Sequence, residues 1–423
     1  MTALPTTPWL DRARLPRLAD GLLVATAMSL PWSTSATSVL IVLWLLAMLP
    51  TLEMAAVRRE VLSYAGGLPV LLWLLAVAAL AWADASFKER MGGLESFHRL
   101  LVIPLLLAQI RNSERGVTVV LGFLASEAVL LTTSLVHAAL WDIVPWHIAV
   151  FPGVPVKNYI TQSEFFEICG FALLGFVVDA WRRGRRQQAL WLLLLAATFL
   201  FDILYVATGR STLVALPVLA VVFGFRYFGR KGVLVALAAC VLVAAVAWAS
   251  SPYLRWRVLR AVEEVQVYLT TRMPTSSGGR LEFWRKAVGF IGQAPIFGHG
   301  TGSINELYRH SQTNDGTAAA ARVENPHQQI LAVAIQLGFV GAALLIAMWI
   351  AHLALFYRPG LIAWTGLVVV VQHVVSSFFN SQLFDFTEGW LYVLAVGVLG
   401  GLVLRERSQP PQPAVDSMAT SQV

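Results

Sequence analysis

The sequence predicts an all-α polytopic membrane protein of about 12 transmembrane helices, and three observations predict it. Hydrophobic residues make up 57% of the 423 positions and charged residues only 13%, with a mean hydropathy of +0.68; a soluble chain of this length does not carry so little polar surface. Apolar runs near the ~20 residues that span a bilayer recur from about Leu18 to Leu404. They are continuous rather than alternating, which favours helices over a β-barrel. Finally, Lys and Arg are unevenly shared between alternate loops.

Taken in order, the windows are 17–31, 35–51, 62–82, 99–110, 116–140, 165–181, 190–209, 211–229, 232–250, 337–356, 361–379 and 388–404. Arg12, Arg14 and Arg17 precede the first without a small-residue cleavage site, so it is expected to stay in the membrane. Arg58 and Arg59 separate the second from the third; Arg111 and Arg115 divide the short fourth from the fifth. Arg182, Arg183, Arg185 and Arg186 follow the sixth, Arg226, Arg230 and Lys231 mark the break between the eighth and ninth, Arg358 follows the tenth, and Arg405 and Arg407 close the twelfth. The short loops on the other side hold only Lys88, Arg90, Arg99, Lys157 and Arg210. By the positive-inside rule the Arg-rich side is cytoplasmic, and both termini lie there.

The expected organisation is therefore 1–250 as helices one to nine, 251–326 as a periplasmic loop with amphipathic helices, 327–404 as a re-entrant segment and helices ten to twelve, and 405–423 as a disordered tail. Cys169 and Cys240 both fall in apolar windows and form neither a disulfide framework nor a metal set. The other histidines make no zinc pattern.

A 76-residue loop, Ser251 to Pro326, is too long for a connector and is expected to carry function. It is also basic, which points to an anionic partner. Val258, Val262, Val265 and Leu269 fall on one stripe of a helix suited to the membrane interface. Phe283, Ala287 and Phe290 repeat on a second amphipathic helix, with Arg280 at its start. "APIFGHGTG", Ala294 to Gly302, is a glycine-punctuated turn that permits close backbone approach to a ligand. The 15 Trp residues sit mostly at window ends, as in interfacial belts. Arg210, in "ATGRST", lies almost at membrane depth, where a guanidinium needs an anionic partner. It is either functional, or an anchor, or paired with Asp202. His327, in "ENPHQQ", either caps a helix or moves a proton.

Three pieces in this order carry a resemblance: "TGRST", "GGRLEFWRKAVGFIGQAPIFGHGTG" and "NPHQQILAVAIQLGFVGAAL". Together they resemble the bacterial O-antigen ligase family, within the group that also holds O-antigen polymerases and protein O-oligosaccharyltransferases. The motifs cover Thr208 to Leu344, and Gln328 stands where the family more often has Asn. The resemblance implies a GT-C-like glycosyltransferase of the Gram-negative inner membrane with a periplasmic site. Its implied partners are undecaprenyl-diphosphate-linked O-antigen as donor, lipid A core oligosaccharide as acceptor, and membrane lipids, with no nucleic acid.

On that resemblance the catalytic set is His327, Arg210 and Arg280. A sugar hydroxyl needs a base to attack the anomeric carbon, and His327 is the candidate. The departing diphosphate needs positive charge, which Arg210 and Arg280 supply as rigid forked donors. No Asp-x-Asp pair stands on the outer side, and Asp84, Asp142, Asp315 and Asp385 are isolated in sequence, so no cofactor or metal is expected and a single inverting displacement is the simplest chemistry. Lys88, Lys157, Asn158, Gln162, Arg285, Glu324 and Gln328 are further candidates for binding substrate; the first four have a plain alternative as solvated loop residues, Arg285 as a contact to lipid phosphate, and Glu324 either orients His327 or pairs with Arg322 in solvent. The rival readings are a polymerase, a protein O-oligosaccharyltransferase and a transporter of a lipid-linked oligosaccharide. A transporter would be expected to show matching halves with helices broken at the midplane.

Overall fold

The structure, a computed structural model, describes residues 14–143, 151–271, 275–314 and 325–408. Sixteen α-helices follow one another in these segments: α1 (Leu15–Ser29), α2 (Thr34–Met48), α3 (Met54–Val61), α4 (Tyr64–Ala78), α5 (Phe87–His98), α6 (Val102–Asn112), α7 (Gly116–Ala139), α8 (Tyr159–Arg182), α9 (Arg186–Tyr205), α10 (Arg210–Ser250), α11 (Pro252–Thr271), α12 (Ser276–Gln293), α13 (Ile304–Asn314), α14 (Gln329–Phe356), α15 (Leu361–Ser376) and α16 (Phe386–Ser408). Among the described residues, eight helices are long and apolar enough to cross a membrane. α1 and α15 are shorter, and α8 carries Glu164 and Glu167 in its length. All twelve apolar windows fall on helices.

The eight spans become twelve windows once α1, α8 and α15 are added and α10 is counted twice, and two glycines break helices here. α10 is two helices that meet at Gly229, which has φ 67°. A Cβ on Gly224 would lie 2.4 Å from the carbonyl oxygen of Gly232, whereas residues eight apart in a straight helix are separated by about 12 Å. α10 therefore doubles back at Gly229, between the eighth and ninth windows. Gly338 (φ 64°) breaks α14 in the same way, leaving a short half-helix from Gln329 before the tenth window. The fourth window is longer than expected, because Phe87–Asn112 forms one span of α5, a 3₁₀ turn and α6.

Side-chain oxygens set several starts: Ser63 caps α4, Ser86 with Glu89 forms a capping box on α5, and Thr275 caps α12. α16 lies at the centre, with 83% of its apolar window buried against the other helices. Its Tyr392 meets His352 of α14 (Nδ1 to hydroxyl, 2.5 Å) and stacks on His373 of α15 at 4.1 Å, and Nε2 of His352 bonds the carbonyl of Ala65. Pairing of this kind is what a polar group inside the bundle requires. Not all Trp residues form belts, since Trp44 and Trp364 are fully buried and donate to Gln109 and to the Phe171 carbonyl.

Several of the basic residues assigned to one side bond to segments beside others of that set. Arg111 pairs with Glu60 beside Arg59, Arg405 reaches the Ser113 carbonyl, and Arg226 reaches that of Arg358. On α11, Val262 and Leu269 of the expected stripe are exposed and Val258 and Val265 half-buried, while Leu254 and Tyr268 are buried, Tyr268 on the side that packs on α12.

Candidate active site

Four segments distant in sequence build the site. The first is the loop before α14, where Asn325 Oδ1 accepts from the His327 backbone N–H (2.6 Å) and from Ser381 Oγ (2.5 Å). Trp284 Nε1 donates to the Pro326 carbonyl (3.1 Å). These bonds hold His327 at φ 53°, a left-handed conformation that costs a non-glycine residue about 1–3 kcal/mol. Gln328 Oε1 caps α14 by accepting from the Leu331 N–H, so its oxygen is taken up structurally.

α12 supplies Arg280, whose Nη1 donates to the Phe379 carbonyl (2.8 Å) and Nη2 to Asn380 Oδ1 (3.2 Å). Arg210 opens α10 and donates through Nη1 to Glu264 Oε2 (3.0 Å) and Ser277 Oγ (2.5 Å). Its Nε is buried without a partner. Burial pushes the Glu264 carboxyl up, but hydrogen bonds from Arg210 and Ser277 outweigh this and hold it below the usual range. Asp202 is not the partner of Arg210; it accepts from Ser134 (2.6 Å) and Gln162 (3.3 Å) inside the bundle. Burial lowers the Arg280 pKa from its ordinary value, and the nearby Arg210 guanidinium lowers it further.

The fourth segment, Ser377 to Glu388, folds back between α15 and α16. Its Leu383 N–H donates to Gln329 Oε1, and Gln329 N–H donates to the Ser377 carbonyl, so it is bolted to the start of α14. Two cavities meet here. The larger, about 700 Å³, is lined by Lys88, Ser96, Phe283, Asn305 and Asn325 among others. The smaller, about 340 Å³, is lined by Asn158, Thr161, Arg280, Asn380, Gln382 and Glu388 among others. His327 and Asp385 line both.

Electrostatics follow from burial. Burial, and after it Arg280, pushes His327 down to about 4, so the ring is neutral at neutral pH. Burial and Glu388 raise Asp385 to about 7 against the pull of Arg99 and Arg280. Arg99 bonds the carbonyls of Asp385 and Phe386. Lys157 is lowered to about 8 by burial, opposed by Glu388 and Glu127, and donates to Thr387 Oγ1 (2.9 Å) and the Leu30 carbonyl.

The structure thus brings His327, Arg280 and Arg210 to one region, with Lys88 and Lys157 at its edges. Asn158 lines the smaller cavity while capping α8 through bonds to Ile160 and Thr161 N–H. Gln162 is not at the site: it is 2% exposed and bonds Ser134, the Gly153 carbonyl and Asp202. Arg285 is 69% exposed and pairs with Glu282, lining neither cavity. Glu324 lies outside the described residues. The glycine turn packs closely on protein at Gly298 and Gly300, while its last residue, Gly302, lines the larger cavity. A Cβ on Gly298 would strike the Gln336 backbone and one on Gly300 the Ala83 backbone, so these glycines seat the turn against α14 and the end of the third window. Sequence reasoning missed Asn325, Trp284, Asn380, Gln382, Asp385 and Glu388. The signal for the last four was a polar interruption, "NSQLFDFTE", between two apolar windows. Among the described residues no three His, Cys, Asp or Glu side chains come together as metal ligands.

Residues 195–346 match the family model described as O-antigen ligase. Over that stretch the chain is similar to the O-antigen ligase family. That range includes Arg210, Arg280 and His327, whereas Lys88, Lys157, Asp385 and Glu388 reach the site from outside it. The chain is also similar to an uncharacterized protein of Haemophilus influenzae, 27% identical over 191 residues, which are 42% of this chain. The match spans about half of that relative, 47% of its length.

Proposed function

We propose that this protein transfers O-antigen polysaccharide from undecaprenyl diphosphate to the lipid A core oligosaccharide, at the periplasmic face of the inner membrane. The observation that carries this reading is that His327 lines the shared wall of two cavities, one of which also contains Arg280. The donor diphosphate occupies the smaller cavity, where Arg280 meets it, with Arg210 adding charge from behind. The acceptor sugar occupies the larger cavity beside Lys88. Its hydroxyl gives a proton to a ring nitrogen of neutral His327 as the oxygen bonds the anomeric carbon. The bond from that carbon to phosphate oxygen breaks, and the electron pair leaves with the diphosphate, inverting the centre. The charge growing there is met by guanidiniums already in place in a half-buried site, where such attraction counts for more than in water.

The test is coupling in detergent with both purified lipid substrates, no ATP and no added metal, followed by linkage analysis of the product. Full lipopolysaccharide formed equally in chelator supports the proposal. Donor joined to donor makes the protein a polymerase, glycan on a protein hydroxyl makes it a protein transferase, and movement without coupling makes it a transporter. Activity lost in chelator and restored by magnesium refutes the arginine mechanism.

A further inference from the structure

A second large cavity lies at the opposite end of the bundle and has no part in this chemistry. It measures about 640 Å³, and its walls are mainly apolar side chains of α7, α8, α15 and α16, including Leu121, Phe176 and Leu402. Its mouth is charged by Arg182, Arg183 and Arg226, with Asp179 and Glu406 as the acidic counterparts. Asp179 is engaged by Arg183 (2.8 Å). Arg182 and Arg226 instead donate to the carbonyls of Tyr227 and Arg358, which are neutral acceptors. The guanidinium of Arg182 also lies over the Tyr227 ring at 5.8 Å. Below the mouth, Val120, Leu124, Thr365 and Leu399 line both this cavity and a narrow apolar one of about 60 Å³, which continues to Leu30 and Leu391. Charge at one end and a tapering hydrocarbon slot behind it is the shape of a lipid site.

We propose that this cleft binds an anionic glycerophospholipid, its phosphate at Arg182, Arg183 and Arg226 and one acyl chain in the slot between α7 and α16. Basic pockets between membrane helices at the bilayer surface recognise lipid phosphate in this way, and guanidiniums match phosphate oxygens with paired donors. The ligand is not the reacting donor. α8 runs 24 residues from Asn158, at the candidate active site, to Arg182, at the cleft mouth. At 1.5 Å per residue the two ends are about 36 Å apart. The inference is therefore independent of the function proposed above.

The experiment uses the full chain in nanodiscs of phosphatidylglycerol or of phosphatidylcholine, with native mass spectrometry to count retained lipid and thermal unfolding to measure stability. The wild type is expected to retain phosphatidylglycerol after detergent exchange that strips phosphatidylcholine, and to unfold at higher temperature in the anionic discs. The double variant Arg182→Gln, Arg226→Gln is expected to bind the anionic lipid about tenfold or more weakly and to lose the stability difference. Arg226 also holds the loop at Arg358, so Thr365→Phe serves as a second variant: it keeps all three guanidiniums and fills the junction of the two cavities. It too is expected to lose the retained lipid. Equal retention of both lipids by the wild type, or unchanged retention in Thr365→Phe, overturns the proposal. Inorganic phosphate alone reproducing the full stabilisation also overturns it, because the arginines would then hold a free anion.

Discussion

Replacing His327 with Gly separates the chemistry of the imidazole from the shape of its loop. The native residue sits at φ 53° with its backbone N–H bonded to Asn325, and both features survive the substitution. Relief of left-handed strain returns about 1–2 kcal/mol, while the extra freedom of Gly in the unfolded chain takes back about 0.5–1 kcal/mol. The lost side-chain packing is small, since its aromatic neighbour Phe283 is tilted at 6.4 Å between ring centres. Stability is therefore expected to change by no more than about 1 kcal/mol. Transfer should fall by about 10²- to 10⁴-fold, the usual contribution of a positioned base. Because the side chain borders a cavity of about 700 Å³, added imidazole can reach the vacated position. Rescued activity should then follow the protonation of a free imidazole, near 6.5, rather than that of the buried histidine. The assay is initial-rate coupling with and without imidazole, alongside thermal unfolding. Undiminished transfer in His327→Gly refutes the base assignment. A large loss of stability refutes the reasoning about the loop.

The remaining predictions concern the same neighbourhood. In the wild type, kcat/KM should be flat with respect to His327 above about pH 4 and fall as pH drops through that value, since only the neutral ring accepts a proton and its pKa is depressed; a His-dependent limb at about 6.5 would show that burial and Arg280 do not act on it. Arg280→Lys keeps the charge but loses the fork that bonds both Phe379 and Asn380, so transfer should fall about 10- to 100-fold, and wild-type rates would remove the need for paired donors. Gly338→Ala should destabilise the chain by well over 2 kcal/mol, because its φ is 64° and a Cβ would lie 2.1 Å from the Ile296 carbonyl oxygen; normal thermal stability would mean that the turn has room to move.

The windows were readable because hydropathy is a local property, and so was the break at Gly229, where Arg226, Arg230 and Lys231 interrupt the apolar run. Arg210, Arg280 and His327 were readable through the motifs around them. What the one-dimensional pattern hid were roles decided by a returning chain. Asp385 looked isolated because Glu388 belongs to the first turn of α16, and Arg99 and Arg280 come from segments far away in sequence. Gln162 looked like a loop amide at the membrane edge, yet it is the fourth residue beyond the Asn158 cap and points into the bundle. Val262 and Leu269 fitted a helical stripe, but which of two overlapping stripes turns inward depended on Tyr268 meeting Glu282 of α12.

The electrostatic state of the site explains why those distant residues belong together. Arg210 and Arg280 lie close enough for one to depress the other, and Arg280 spends its donors on a carbonyl and an amide rather than on a carboxylate. Two like charges held together at partial burial are unfavourable, and the Nε of Arg210 adds a buried donor without an acceptor. The protein sustains this through anchors at the rim, with Glu264 on Arg210 and the carbonyl of Phe379 on Arg280. An entering diphosphate would offset that repulsion and, by the same field, raise the His327 pKa from its depressed value, making the imidazole a stronger base only once donor is bound. Acceptor deprotonation would then be tied to the presence of the leaving group. A donor analogue bearing the diphosphate but no sugar should accordingly shift the His327 titration upward in an NMR measurement, and an unchanged titration would break the link between the arginines and the base.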